Sequence, residues 1–180
     1  MMNRTVEEDI KQILANEAEA ISNIPVNENY EKVVDLIHKK VHGNRGKIIA
    51  SGMGKAGHVA NHMATTFSST GTPALFLHPS EAQHGDLGVI RENDVLLVLS
   101  NSGKTTEILK LVQLTHSLYE GIPVVIITGN PEGPLARQSS MILFTGNPKE
   151  VCPLGLTPTT SATAMAVIGD VLTVLMMKRT

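Results

Sequence analysis

The run Val95–Leu99 consists of five uninterrupted apolar residues and leads directly into a polar segment, 100–105. A short apolar run without alternation is typical of a central parallel β-strand, which is buried on both faces. Parallel strands need long crossover connections, which helices usually provide. The run therefore favours an α/β fold.

The rest of the chain alternates between helical and strand-like patterns. Thr5 and Glu8 have the spacing of a capping box ahead of a first helix, and a second helix is predicted from Tyr30 to Gly43. The alternation implies right-handed crossovers and a three-layer α/β/α sandwich around a five-stranded parallel sheet. The predicted strands are 47–51, 74–77, 94–99, 122–128 and 141–144, and the later helices are 56–69, 105–119 and an amphipathic 159–177.

Composition points to one domain spanning 1–180 and excludes several classes of partner. The net charge of -2 gives no electrostatic footprint for nucleic acid, and 3% aromatic residues without Trp argue against base stacking. Cys152 is the only cysteine, which fits a reducing, cytoplasmic compartment. The polar, acidic start is unlike a signal peptide, and we expect no membrane helix.

The polar segment after Val95–Leu99 is a candidate phosphate site. The hydroxyls of Ser100, Ser102 and Thr105 lie beside Gly103 where a helix should begin. Free N–H groups of a first helical turn, with the positive end of the helix dipole behind them, attract anions. The simpler alternative is that one serine only caps the helix, but three hydroxyls and a glycine favour phosphate binding.

Gly52, Gly54 and Gly57 formally satisfy the dinucleotide-binding fingerprint. That site also needs an acidic residue at the end of the second strand, where this chain has His78. A Walker loop fails as well, so no nucleotide cofactor is expected. What remains is a tight turn that presents Lys55, either as a solvated surface charge or as an anion ligand or electrostatic catalyst.

The segment 78–88 contains several groups able to bind or transfer protons. Glu81 and His84 are spaced to face each other across a helical turn, and with His78 they could hold a divalent ion such as zinc. The alternative is a polar loop held by its own hydrogen bonds. The remaining histidines are interpreted as helix-face residues (His58, His62) or ordinary surface residues (His38, His42, His116).

For two acidic residues the sequence does not decide between a structural and a catalytic role. Glu107 lies in the first turn of a predicted helix, where a negative charge also stabilises the helix dipole. Glu150 lies in the Pro- and Gly-rich stretch 145–158, which is too polar for a core element and is interpreted as a functional loop. Spacing does not decide either case.

With these residues assembled, the chain resembles the sugar isomerase (SIS) domain family and, within it, the arabinose 5-phosphate isomerase branch. The segment 100–105, called the serine loop below, is common to SIS domains. The segment 78–88, called the histidine loop below, and the Cys-Pro-Leu-Gly segment are more particular to the branch. The matching segments are 51–58, 69–73, 78–88, 100–103 and 152–161.

The resemblance implies a five-stranded parallel sheet and a homotetramer with active sites at subunit boundaries, to which the helices of residues 1–43 would contribute. It implies interconversion of ribulose 5-phosphate and arabinose 5-phosphate for synthesis of Kdo in lipopolysaccharide or capsule, without a cofactor. Residues that match catalytic positions are Lys55, His84, Glu107 and Glu150. Residues that match phosphate or substrate positions are Ser51, Gly52, Gly71, Thr72, Ser100, Asn101, Ser102 and Thr105, while His78 matches a position linked to substrate and inhibitory metal.

The chain departs from the family in two places. Lys104 stands where the family usually has Glu, which adds a positive charge near the phosphate. Relatives continue into a Ser-His-Pro-Gly-Gly segment and paired CBS modules, whereas this sequence ends at Thr180. We therefore expect either a stand-alone SIS form or a piece trimmed at the domain edge.

Isomerisation of a phosphosugar requires a base that moves a proton between C1 and C2 through a cis-enediol. Glu150 or Glu107 is the candidate carbon base, Lys55 supplies positive charge, and His84 handles hydroxyl or ring-opening protons. Three alternatives stay open: a hexulose-phosphate isomerase, a zinc-dependent heptose-phosphate isomerase, and a non-catalytic sensor of sugar phosphates.

Overall fold

Five parallel strands form a single sheet in the computed structural model, which describes residues 4–180. The sheet order is β2-β1-β3-β4-β5, so β1 lies between β2 and β3. The pairing aligns Gly52 with Leu99, which brings the carboxyl ends of β1 and β3 side by side. The strands are β1 (Ile48–Gly52), β2 (Ala74–Phe76), β3 (Val95–Leu99), β4 (Val124–Thr128) and β5 (Met141–Phe144).

Helices cover both faces of this sheet. α2 and α3 contribute to one apolar core together with α6, whereas α4 and the single turn α5 contribute to the other. The helices are α1 (Val6–Ser22), α2 (Asn29–Ile37), α3 (Gly54–Ser69), α4 (Thr106–Leu118), α5 (Pro134–Arg137) and α6 (Thr160–Met177).

The central strands are buried on both sides, as their apolar runs predict. Every residue of β1, β3 and β4 is buried. Successive side chains point to opposite faces of a strand, so Leu97 packs in the core with α3 and α6, and Leu96 in the core with α4. The predicted three-layer α/β/α sandwich is confirmed.

α6 was predicted to be amphipathic, but it is apolar on nearly all sides. It is long and apolar enough to cross a membrane by length and composition, although half of it is buried in the fold. Polar residues such as Ser161 and Asp170 interrupt its apolar positions, so this criterion does not contradict the expectation that the chain has no membrane helix. A core helix of a folded domain meets the same criterion, and α6 packs against α3.

α1 has the predicted capping box but no buried residue. The Glu8 N–H donates to Thr5 Oγ1 at 3.3 Å, and the Thr5 N–H donates to Glu8 Oε2 at 2.8 Å. α1 contacts α6, and its side chains Val6, Ile10 and Leu14 remain exposed. This apolar face of α1 is the largest departure from a self-contained domain.

Candidate active site

A cavity of about 560 Å³ opens where β1, β3, β4 and β5 end. Loops after four strands and the first turn of α6 form its wall. Ligand sites of open parallel sheets lie beyond the carboxyl ends of the strands, and this cavity follows the rule. Its lining includes Met53, Lys55, Ser100, Asn101, Ser102, Lys104, Thr105, Gly129, Asn130, Asn147 and Ser161.

The serine loop is folded by hydrogen bonds that aim its hydroxyls at this cavity. The hydroxyls of Ser100 and Thr105 are 2.8 Å apart, and Asn130 Nδ2 donates to the Ser102 carbonyl at 2.9 Å. Gly103 has φ +64°, a left-handed conformation that glycine adopts without strain. The loop therefore bends sharply back before α4 begins.

Within residues 4–180, no side chain caps the N-terminus of α4. Ser102 Oγ accepts instead from the Lys104 N–H, at 3.2 Å, which precedes the helix. The alternative that a loop serine only caps the helix is therefore wrong. The first-turn N–H groups and the positive helix dipole stay available to an anion in the cavity.

The first glycine turn places Lys55 at the cavity. A Cβ on Gly57 would lie 2.6 Å from the Gly52 carbonyl oxygen, so this close approach of β1 and α3 requires glycine. Lys55 is exposed and forms no ion pair within residues 4–180. Its positive charge is thus not neutralised by a protein carboxylate.

Ser51 and Gly52 lie beneath the cavity and do not line it. Ser51 is fully buried, and its hydroxyl donates to the Leu77 carbonyl at 2.6 Å. Their direct contact with substrate stays a prediction, because the structure places them outside the cavity lining of a single chain. They tie β1 to the end of β2 and shape the turn that carries Lys55.

Gly71 and Thr72 are not brought to this cavity. They precede β2, at the amino-terminal edge of the sheet, whereas the cavity lies at the carboxyl edge. Thr72 is buried, and its hydroxyl is 3.2 Å from Nε2 of His42. The prediction that Gly71 and Thr72 lie beside Ser100 in one site is therefore wrong within one chain. A segment that precedes a parallel strand lies at the amino-terminal edge of the sheet, whereas Ser100 follows its strand at the carboxyl edge.

His42 is half-buried rather than an ordinary surface residue. Burial, and to a lesser extent the charge of His38, lowers the pKa of His42 below its ordinary value.

The histidine loop lies at the carboxyl end of the edge strand β2, outside the cavity lining. His84 is exposed at the end of a short 3₁₀ turn, Glu81–His84. His78 is half-buried against Phe76, and its Nδ1 is buried without a hydrogen-bond partner in the described part of the chain.

The zinc hypothesis for this loop is not supported. Among residues 4–180 no three His, Cys, Asp or Glu side chains converge on one point. His78, Glu81 and His84 therefore do not form a ligand set within this chain.

The two candidate carboxylates have different surroundings. Glu107 is half-buried in the first turn of α4, two residues after Thr105. Glu150 Oε2 accepts from the N–H groups of Thr159 at 2.8 Å and Ser161 at 3.2 Å, and from the Thr159 hydroxyl at 3.0 Å. Glu150 thus caps the start of α6.

These contacts favour the ionised form of Glu150. Partial burial alone would raise the pKa of Glu150, but the hydrogen bonds from Ser161 and Thr159 outweigh it and hold the pKa below its ordinary value. A carboxylate with a lowered pKa is a weaker base toward carbon. Neither Glu150 nor Glu107 lines the cavity of the serine loop.

Glu150 instead faces a second cavity of about 600 Å³, between the loop 145–153 and α1. Asn16, Glu19 and Asn23 of the α1 region line it together with Cys152. Hydrogen bonds from Thr157, then Leu156 and Leu154, lower the pKa of the Cys152 thiol to about 7. The Cys152 carbonyl also accepts from the Gly155 N–H at 2.8 Å, which closes a turn in this loop.

Several cavity residues were missed by the sequence analysis. Asn130 and Asn147 follow β4 and β5, and Ser161 begins α6. The rule that polar residues after parallel strands meet at one edge could have found the two asparagines. Ser161 had no local signal, because its place depends on how α6 packs.

Comparison with known proteins agrees with this architecture. The model of the SIS domain family matches residues 43–175. Arabinose 5-phosphate isomerase KdsD from Shigella flexneri is 44% identical over 170 residues, which are 93% of this chain and 50% of that protein. The chain thus spans about half the length of the curated relatives it matches.

Two solved structures are similar over nearly their whole length. One is a Bacteroides fragilis protein assigned as a phosphosugar isomerase involved in capsule formation (58% identity, TM-score 0.96, 97% of this chain and 91% of that chain). The other is Escherichia coli CFT073 c3406 in complex with arabinose 5-phosphate (31% identity, TM-score 0.89, 99% and 93%). The family match, the parallel sheet and the serine-loop cavity agree, and the chain belongs to the SIS domain family.

Proposed function

We propose that this chain is an aldose–ketose isomerase that interconverts D-ribulose 5-phosphate and D-arabinose 5-phosphate. The observation that carries the proposal is the cavity in which the uncapped first turn of α4, the loop hydroxyls and Lys55 meet. These groups suit a phosphate monoester. The name of the KdsD relatives and the arabinose 5-phosphate held by the E. coli neighbour support the five-carbon substrate.

The reaction needs a phosphate anchor and a proton relay. In the proposal, Ser100, Ser102 and Thr105 hold the phosphate with Asn101, and Lys55 stabilises negative charge on the enediolate. A carboxylate removes a proton from the carbon beside the carbonyl and returns it to the neighbouring carbon. A hydroxyl proton moves between the two oxygens, which is the role proposed for His84. Oxidation of one carbon is balanced by reduction of its neighbour within the substrate, and no cofactor is part of the proposal.

Glu107 is favoured over Glu150 as the carbon base. Glu107 belongs to the helix whose first turn faces the phosphate anchor, whereas the carboxylate of Glu150 is occupied by three hydrogen bonds at α6. Glu150 then serves the site by fixing the start of α6. Substitution of each glutamate by glutamine distinguishes the two roles.

The proposal includes association of several copies, as a tetramer with active sites at subunit boundaries. Within one chain, His84, Glu107 and Glu150 lie outside the cavity lining, so neighbouring copies would complete the site. The exposed apolar face of α1 is a surface suited to such contacts. Gly71, Thr72 and His78 would reach substrate only across such a boundary.

The product is proposed to feed synthesis of Kdo for lipopolysaccharide or capsule in the cytoplasm. The capsule role printed for the B. fragilis neighbour supports this direction.

The test is turnover of arabinose 5-phosphate and of six- and seven-carbon phosphosugars by wild type and by Glu107→Gln, Glu150→Gln and Lys55→Gln. We expect arabinose 5-phosphate to be preferred. The variant that lacks the carbon base should lose about 100-fold or more in kcat. Loss of less than about tenfold, or about 1.4 kcal/mol in the barrier, clears a glutamate of that role.

The second candidate is a non-catalytic sensor of sugar phosphates. One observation favours it, namely that only Lys55 of the four catalytic candidates lines the cavity. Thermal stabilisation by arabinose 5-phosphate without turnover of any phosphosugar would establish the sensor and reject the isomerase.

A further inference from the structure

Glu17 makes a contact that its place on an exposed helix does not require. It is half-buried, and Oε1 accepts a hydrogen bond from the Thr160 hydroxyl at 2.7 Å, across 143 positions of sequence. Its Oε2 is buried without a hydrogen-bond partner in residues 4–180. An unsatisfied buried polar atom costs about 1–3 kcal/mol, so stability alone does not explain this carboxylate.

The hydroxyl that Glu17 holds is at the junction of two other elements. Thr160 is buried at the first residue of α6, and its Oγ1 also accepts from the Val151 N–H at 3.1 Å. Thr159 and Ser161, the residues on either side, donate to Glu150. One side chain of α1 therefore fixes the hydroxyl that joins the loop after β5 to α6.

The same junction reaches the cavity of the serine loop. Ser161 lines that cavity and donates its backbone N–H to Glu150 at 3.2 Å. A displacement at Thr160 would move Ser161 on the cavity wall and the Glu150 carboxylate together. Small displacements of positioned groups lower rates strongly even when they leave the fold intact.

We infer that Glu17 is a positioning residue that acts through Thr160 to hold Glu150 and the start of α6 in place beside the cavity. This inference rests on the proposed isomerase function. Glu17 itself lines neither of the two cavities described above and is assigned no contact with substrate.

The first test compares Glu17→Ala with Asp9→Ala, which removes an exposed carboxylate from the same helix that lines neither cavity. We expect Glu17→Ala to lower kcat by about tenfold with KM within about twofold, because positioning is lost while the phosphate anchor remains. Glu17→Gln keeps an acceptor oxygen and should retain most of the activity. Thr160→Ser should likewise retain it, whereas Thr160→Val should not.

A double variant separates coupling from general destabilisation. If Glu17 acts through Thr160, Glu17→Ala combined with Thr160→Val should be no slower than the worse single variant. Multiplication of the two losses would show independent effects and would overturn the inference.

A second readout needs no substrate. Cys152 is the only cysteine of the chain, and its hydrogen bonds exist only while the loop 152–157 is folded. The rate of alkylation by iodoacetamide should titrate near pH 7 in wild type. In Glu17→Ala the midpoint should move toward the ordinary thiol value of about 8.5, and in Asp9→Ala it should not.

The outcomes separate this inference from the proposed function. A kcat for Glu17→Ala within about twofold of Asp9→Ala, with the same alkylation midpoint, overturns the positioning role. If wild type turns over no phosphosugar, the isomerase proposal fails by itself. The alkylation midpoint then decides whether Glu17 orders the loop.

Discussion

Lys104 brings a second positive charge to the cavity that Lys55 lines. Its backbone N–H donates to Ser102, so the position of its Cα is fixed by the serine loop. Like Lys55, it forms no ion pair within residues 4–180. Two unpaired ammonium groups around one anion pocket favour a doubly charged ligand over a neutral sugar.

Replacement of this lysine should weaken phosphate binding and leave chemistry alone. We expect Lys104→Glu to raise KM for arabinose 5-phosphate by about tenfold, with less effect at high salt because exposed charges are screened. kcat should stay within about twofold. Lys110→Glu, an exposed change further along α4, is the control. Equal KM values for the two variants would contradict the role of Lys104.

The site residues that could be predicted from sequence are those that lie within a few positions of a strand end. The serine loop and Lys55 were found because each follows its strand within a few residues, so the strand end fixes their place. Gly71 and Thr72 were misplaced because motif matching ignores which end of a strand a segment joins. Where the side chains of His84, Glu107 and Glu150 point depends on the packing of elements and on the association of chains. The spacing of residues in the sequence does not determine either.

At the level of elements, the junction of β1 and α3 determines where Lys55 stands. Gly52 and Gly57 approach so closely that a Cβ on Gly57 would meet the Gly52 carbonyl oxygen at 2.6 Å. Backbone atoms of a central strand cannot move aside cheaply. The turn is therefore sensitive to one methyl group.

Gly57→Ala should destabilise the protein although alanine is the better helix former. Overpacking costs about 1–3 kcal/mol against roughly 1 kcal/mol gained in helix propensity, so we expect a net loss of up to about 2 kcal/mol in the free energy of unfolding. Gly121→Ala is the control, since a Cβ there meets nothing within 4 Å. Denaturant unfolding measures both, and equal stability of the two variants would refute the packing argument.

The strands and the long helices were predicted correctly, whereas the single helical turns were not. All five strands and the five long helices were expected, because apolar runs mark the strands and helical spacing marks the long helices. The single turn α5 and the 3₁₀ turns of the histidine loop span four residues each, too few for a periodic signal. α6 was predicted as amphipathic, although the high mean hydropathy of its own sequence already indicates a helix apolar on most sides.

For the whole molecule, the unburied helix α1 is the feature that a single chain leaves unexplained. Its apolar side chains Val6, Ile10, Ile13 and Leu14 are all exposed. Exposed apolar surface of this kind marks an interaction site more often than chance placement. A further copy of the chain is the proposed occupant, because the candidate catalytic side chains are also incomplete within one copy.

Charges on this face should disrupt assembly. We expect wild type to behave as a tetramer in light scattering and Ile10→Lys combined with Leu14→Lys to yield smaller species with reduced turnover. Val26→Lys, a change at an apolar residue that is 88% exposed outside α1, should leave assembly intact. A monomeric wild type with full activity would reject both the tetramer and the shared site.

The strand order separates two tasks of recognition. The loops that line the candidate phosphate cavity follow adjacent strands in the middle and at one side of the sheet, whereas the histidine loop follows β2 at the opposite edge. The loop after this edge strand can be lengthened, shortened or replaced during evolution without a change in the loops of the cavity. A scaffold of this kind can change which sugar it accepts while it keeps the same site for the phosphate group.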